Sequence, residues 1–88
     1  MRIPSYTRRF EKDVKRMQRR GKDLRKLRLV LSSLIAEEYL GEQYKDHPLI
    51  GNYRDRRECH IEPNWLLIKL AGNDIVFERT GTHSDLFE

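Results

Sequence analysis

Two different periodicities divide the chain. Over the first forty residues, apolar positions recur every three or four places: Tyr6, Phe10, Val14 and Met17, then Leu24, Leu27, Leu31, Leu34 and Ile35. That spacing puts each set on one face of a helix. The first helix is predicted from about Thr7, whose hydroxyl can cap it, with Gly21 as a left-handed stop. Glu11 and Lys15 form an i,i+4 pair within it, and Arg19 and Arg20 suit its negative end. The second is predicted from near Asp23 to Tyr39 or Leu40, ending at Gly41. The short link between them lays the two helices antiparallel, as a hairpin. Ahead of both, Arg2 to Ser5 reads as an edge strand, because Pro4 cannot donate to a ladder.

Beyond residue 41 the period changes. Residues 42–52 read as a loop, with His47 kept out of helix by Pro48. Arg57 to Glu62 alternates, sending Cys59 and Ile61 to one face and Glu58, His60 and Glu62 to the other. Pro63-Asn64 turns the chain into Trp65 to Ala71, nearly all apolar, the pattern of a strand covered on both faces. Gly72 to Asp74 is a second turn, Ile75 to Thr80 a third strand, and Thr82 to Phe87 a tail whose Leu86 and Phe87 dock back. The expected fold is α+β: a helical hairpin packed on a small, mostly antiparallel sheet, one domain over residues 1–88.

A chain of 88 residues buries only roughly two-thirds of its unfolded surface, so a site must lie on the surface or in a shallow cleft. No apolar run approaches the roughly 18–20 residues that span a bilayer, and the charged start has no signal-peptide core. The lone Cys59 excludes an internal disulfide, and the simplest compartment is the cytoplasm. Charge is uneven. The first 28 residues hold twelve Lys/Arg against three Asp/Glu, and the remainder six against eleven. The basic half favours an anionic partner, nucleic acid ahead of an acidic protein or a membrane surface.

All three histidines, His47, His60 and His83, fall in the less basic half. The strand alternation sets Glu58, His60 and Glu62 on the open face of the sheet. Glu58 and His60 would lie roughly 6–7 Å apart along the strand, sharing a substrate without locking onto one another. His47 and His83 join them if the loops fold over that face. Such a set suits RNA cleavage without a metal. A base takes the ribose 2′-OH proton, the oxygen attacks phosphorus, an acid protonates the leaving oxygen, and Arg57 or Arg79 offsets the developing charge. Histidine fits both proton roles because its ordinary pKa of about 6.5 lies near working pH. Blander readings stand beside this one. A histidine in a polar loop is usually just a surface residue, and Glu58 and Glu62 can pair with cross-strand cations. Cys59 reads as a small core hydrophobe and Trp65 as core. Cys59 and His60 point to opposite faces and no CxxC or HxxxH exists, so no metal or other cofactor is expected.

Three stretches, YKDHPL from Tyr44, RECHIEPNW from Arg57 and FERTGTHSDLF from Phe77, come in an order that resembles the YafQ branch of the RelE-type bacterial toxins. The resemblance covers nearly the whole chain. It implies a RelE-like fold and a ribosome-dependent mRNA interferase from a type II toxin–antitoxin pair. By position it implies a cleavage site holding His47, His60 and His83, with Phe87 touching substrate. It implies ribosomal RNA as the partner of the basic surface, here Arg8, Lys12, Lys15, Arg16 and Arg19. The other partner would be a small dimeric DNA-binding antitoxin whose C-terminal segment covers the toxin; operator DNA would be met only through it, and no membrane is involved.

On this basis His83 is expected as general acid, and His60 or His47 as base or as the group orienting the 2′-OH. Glu58 would tune His60, and Arg79 would hold the scissile phosphate with Lys45 and Arg57 nearby. Two positions depart from the pattern: Glu58 stands where these toxins have Asp, and Asn64 where they have Asp. Asn64 carries no charge but can still orient a partner by hydrogen bonds. The second reading is therefore a catalytically weakened homologue that binds ribosome or antitoxin without cutting. A DNA-binding module rests only on the basic first helix, without a recognisable helix-turn-helix, and ranks last.

Overall fold

The computed structural model describes residues 1–87. Strand β1 (Ile3–Tyr6) leads into helix α1 (Arg8–Arg19) and helix α2 (Leu24–Ile35). Then come β2 (His47–Pro48), β3 (Arg57–Glu62), β4 (Trp65–Ala71), β5 (Asp74–Gly81) and α3 (His83–Phe87). Single 3-10 turns at Glu42–Tyr44 and Gly51–Tyr53 flank β2.

Local chemistry sets α1. Thr7 Oγ1 accepts from Phe10 N at 3.0 Å. At the other end Lys22 N donates to Met17 O and Gly21 N to Gln18 O, a paired stop that needs a left-handed residue, here Gly21 at φ +86°. Helix α2 ends by the same pair of bonds, Glu38 N to Ser33 O and Glu37 N to Leu34 O, but at Ile35 rather than near Tyr39. The left-handed residue is Glu37, at φ +60°. The cause is distant in sequence: Arg2 donates its N–H to Ile35 O and its guanidinium to Leu34 O, each at 2.8 Å. The start of the chain caps the helix before Gly41 can.

The sheet runs β1-β5-β4-β3-β2, with β1 parallel to β5 and the other pairs antiparallel. The expected strands are present; β2 lies inside the predicted loop, and the predicted tail coils into α3. Helices α1 and α2 cover one face. Phe10, Met17, Leu27, Val30 and Leu34 pack there on Cys59, Ile61, Trp65, Leu67, Ile75 and Phe77. Each fully buried side chain of this kind contributes about 1.5–3 kcal/mol. Val30, absent from the predicted stripe, is buried, whereas Leu24, Leu31 and Ile35 only flank the core. Trp65 is core as expected, its Nε1 donating to Thr80 Oγ1 at 2.9 Å. Cys59 is buried too, and burial pushes its thiol up to about 11.

The opposite face is not bare. Leu66, Ile68 and Leu86 form a second cluster there with Leu49 and Tyr53, brought in by the 49–56 loop and α3. Two irregularities in register decide what shares this face. His60 pairs with Leu66 but Glu62 with Trp65, and Ile68 pairs with Arg79 but Lys69 with Phe77. An inserted residue swaps the faces of everything beyond it. Glu62 therefore leaves the face of Glu58 and His60 for the helix side, where it accepts from Lys22 Nζ at 2.7 Å and Lys26 Nζ at 2.9 Å. Arg79 passes the other way, onto the face of Ile68.

Candidate active site

Register builds this site. His47 pairs with Glu58, Glu58 with Ile68, and Ile68 with Arg79, so one cross-strand row runs over β2, β3, β4 and β5 on the face away from α1 and α2. The next row is His60, Leu66 and Gly81, and Gly81 leads through Thr82 into α3 and His83. The loop histidine, the strand histidine and the tail histidine thus converge.

Glu58 is the hub. Its carboxylate is only 3% exposed, not solvent-facing, and Oε1 lies 3.5 Å from His47 Nε2 and 3.4 Å from His60 Nε2. The two groups on β3 are thus in contact, not held roughly 6–7 Å apart along the strand. His47 Nδ1 sits 2.6 Å from Lys45 O and His60 Nδ1 3.3 Å from Pro63 O. A carbonyl can only accept, so each Nδ1 carries hydrogen and each Nε2 faces Glu58. The arrangement sets two imidazole Nε2 atoms against one buried carboxylate oxygen beside the cleft.

His83 is held separately. Thr82 Oγ1 accepts from Asp85 N at 3.2 Å while Asp85 Oδ2 accepts from Thr82 N at 2.9 Å, a reciprocal cap at the start of α3. Arg20, just past α1, donates to both Asp85 oxygens at 2.7 and 3.1 Å. That guanidinium holds the Asp85 carboxyl well below the usual carboxylate range, over the opposing effect of partial burial. A Cβ at position 81 would meet Asp85 at 2.9 Å, so glycine is needed for this approach. Asn64 Oδ1 accepts from His83 N at 3.2 Å and lies 3.3 Å from His83 Nδ1. The amide therefore orients the ring, and Nε2 makes no hydrogen bond among the described residues. The His60 and His83 ring centres are 6.2 Å apart, and His83 and Phe87 6.0 Å. Phe87, partly exposed, meets Tyr53 edge-on at 5.8 Å.

Other predicted residues fall into place unevenly. Arg79 is on the face of the histidines, but its Nε and Nη2 are engaged by Asp13 at 2.7 and 3.2 Å, and the residue is buried. Its hydrogen bonds to Asp13 raise its pKa further. Arg57 points to the other face, donating to Asp46 at 2.8 Å, so it is not brought to the histidines. Lys45 contributes its carbonyl to His47 from a left-handed conformation, φ +49°. Arg8, Lys12, Lys15 and Arg19 are exposed on α1. Arg16 is half-buried instead, 2.8 Å from Asp13 Oδ1. Sequence reasoning missed Tyr53, Asp13 and the Arg20–Asp85 tether; only the Thr82-x-x-Asp85 capping pattern was visible to find part of it.

His47 Nε2, Glu58 Oε1 and His60 Nε2 lie within 4.8 Å of one another. This is a different set from the Cys59-containing one weighed from sequence, since Cys59 lies in the helix-side core. Two imidazoles whose other nitrogens donate to carbonyls, with a carboxylate, form a donor set that suits zinc or copper.

The profile of the family described as "Bacterial toxin of type II toxin-antitoxin system, YafQ" matches residues 2–88. The chain is 46% identical to the mRNA interferase toxin YafQ of Escherichia coli (strain K12) over 84 residues, covering 93% of this chain and 91% of that one. Its structure is similar to YafQ in the E. coli DinJ-YafQ toxin–antitoxin complex, with a TM-score of 0.92, 43% identity and 99% and 98% of the two chains covered. It is also similar to a metal-bound toxin from Helicobacter pylori, with a TM-score of 0.92, 39% identity and 99% and 100% coverage. By these matches, over nearly its full length, the chain belongs to the YafQ family of bacterial type II toxins.

Proposed function

We propose that this chain is the toxin of a type II toxin–antitoxin pair and acts as an endoribonuclease on mRNA engaged by the ribosome. The observation that carries this reading is the Glu58–His47–His60 cluster facing His83, with 6.2 Å between the His60 and His83 ring centres. In the reaction the cluster accepts the ribose 2′-OH proton, with His60 or His47 as the base and Glu58 holding its ring. The 2′ oxygen bonds to the adjacent phosphorus, the P–O5′ bond breaks, and His83 gives its proton to the leaving O5′. The products are a 2′,3′-cyclic phosphate and a 5′-hydroxyl. Arg79, buried and held by Asp13, supplies a fixed positive charge behind this face that offsets charge developing on the phosphate. The exposed cations of α1 supply attraction to ribosomal RNA. The partner we propose to restrain the activity is an antitoxin, in keeping with the similarity to YafQ in the E. coli DinJ-YafQ toxin–antitoxin complex.

Asn64 motivates the reading of a weakened, merely binding homologue. Against it stands the geometry: the amide makes both contacts to His83 that orientation requires. Controlled expression of wild type and His83→Ala, with primer extension on a translated reporter, tests the choice. Wild type should cut within the translated frame and the variant should not. Equal growth arrest by both, without cuts, would discard the nuclease reading.

A further inference from the structure

A cleft of about 470 Å³ opens directly beside His60, walled by Leu29, Tyr44, Ile61 and Pro63. Pockets of roughly 300–1,000 Å³ with mostly apolar walls and a few placed polar groups are those that take small organic moieties. We infer that this cleft is a nucleobase subsite, reading one base of the mRNA next to the scissile bond, with Gln43 as the residue that discriminates. The inference rests on the nuclease reading above and adds to it a position for sequence choice.

Three features point to a base. The first is continuity: His60 lines this cleft and also belongs to the Glu58 cluster, so a group in the cleft adjoins the site proposed for cleavage. The second is wall chemistry. Splayed single-stranded bases are bound by stacking on aromatic and apolar surfaces, and Tyr44, Ile61 and Pro63 offer these. Leu29 belongs to the same wall and is 62% exposed, a large apolar side chain on α2 that no element among the described residues covers. The third is the rim. Lys26 and Lys45 border the cleft, and its one carboxylate, Glu62, is already held by Lys22 and Lys26, so the mouth suits a phosphate backbone.

Gln43 is the polar group in that wall. Its amide folds over Gly41, and a Cβ added there would collide with Gln43 Oε1. Gly41 sits at φ −58°, which any residue adopts, so the absence of its side chain serves space rather than backbone freedom. A carboxamide offers donor and acceptor together and can pair with two atoms on a base edge, discriminating where a purely apolar wall would not.

The test is cleavage in a translating extract of reporter mRNAs with each base varied at the three codon positions around the cut. Gln43→Leu should flatten preference at a single position by roughly five- to a hundredfold, with cutting of the best codon still present. Gly41→Ala, which displaces the amide without touching the walls, should flatten the same position less. Wild type that cuts no mRNA overturns the nuclease reading and this inference with it. Cutting by wild type with unchanged preference in Gln43→Leu overturns the inference alone, as does an equal fall at every codon. Weakened binding of the purified antitoxin with base preference intact would instead assign the cleft to a protein side chain.

Discussion

Asp13 gives the sharpest test of how the histidine-bearing face is assembled. It is 4% exposed on α1 and accepts four bonds: Arg79 Nε at 2.7 Å, Arg79 Nη2 at 3.2 Å, Thr80 N at 3.2 Å and Arg16 Nη2 at 2.8 Å. β1 ends at Tyr6, opposite Phe77, so β5 has no strand neighbour on its β1 side at Thr80, and the carboxylate takes that place. In Asp13→Ala the buried Arg79 charge loses its partner, which typically costs about 3–5 kcal/mol. The Thr80 N–H is orphaned as well, an overlapping loss of about 1–3 kcal/mol. Against a total stability of about 5–15 kcal/mol, a fall of about 3–5 kcal/mol is a large share. At about 4–8 °C per kcal/mol for a domain of this size, the melting point should fall by at least about 12 °C. Urea titration followed by fluorescence of the buried Trp65 measures the loss. A double variant, Asp13→Leu with Arg79→Met, should recover much of it, because the cost is an uncompensated charge rather than a lost attraction. A cost under about 1 kcal/mol in Asp13→Ala, or no recovery in the double variant, would refute the buried pair and with it the anchoring of Arg79.

Asp85, depressed below the ordinary carboxylate pKa of about 3.9, stabilises fully above that value and loses the contribution as pH falls toward its native pKa. The gap in melting temperature between wild type and Asp85→Asn should hold from neutral pH to about 5 and close at lower pH; a gap constant down to pH 2 would contradict the Arg20 tether. Glu37→Gly should raise the melting point, since a left-handed φ of +60° strains any residue with a Cβ while the exposed ion pair to the terminal amine is weak. A fall would mean that Glu37 is not strained. Zinc added to the purified chain should bind at His47, Glu58 and His60 and suppress cleavage by occupying the proton-accepting nitrogens, with chelator restoring it. Calorimetric binding that survives Glu58→Gln unchanged would place the ion elsewhere.

What the sequence made legible was whatever is decided locally. α1 could be read because Thr7 and Gly21 carry their own signals, whereas the end of α2 could not, because Arg2 supplies the acceptor-satisfying bonds from 33 residues away. Strand alternation found the face of His60 and Glu58 but holds only while pairing is regular. The irregularity after His60 removes Glu62 from the site, and the one beside Glu78 delivers Arg79 to it. Period-two alternation groups Glu62 with His60 and says nothing of the face of Arg79. The burial of Glu58 was illegible for a further reason. It depends on β2, two residues long, on the 49–56 loop and on a five-residue helix, segments too short to carry a period. Those same segments bring His47 and His83 to the strand histidine. The chemistry of this face therefore lies in the part of the chain where patterning is weakest, and a buried carboxylate between two imidazoles could be inferred only once cross-strand register was known.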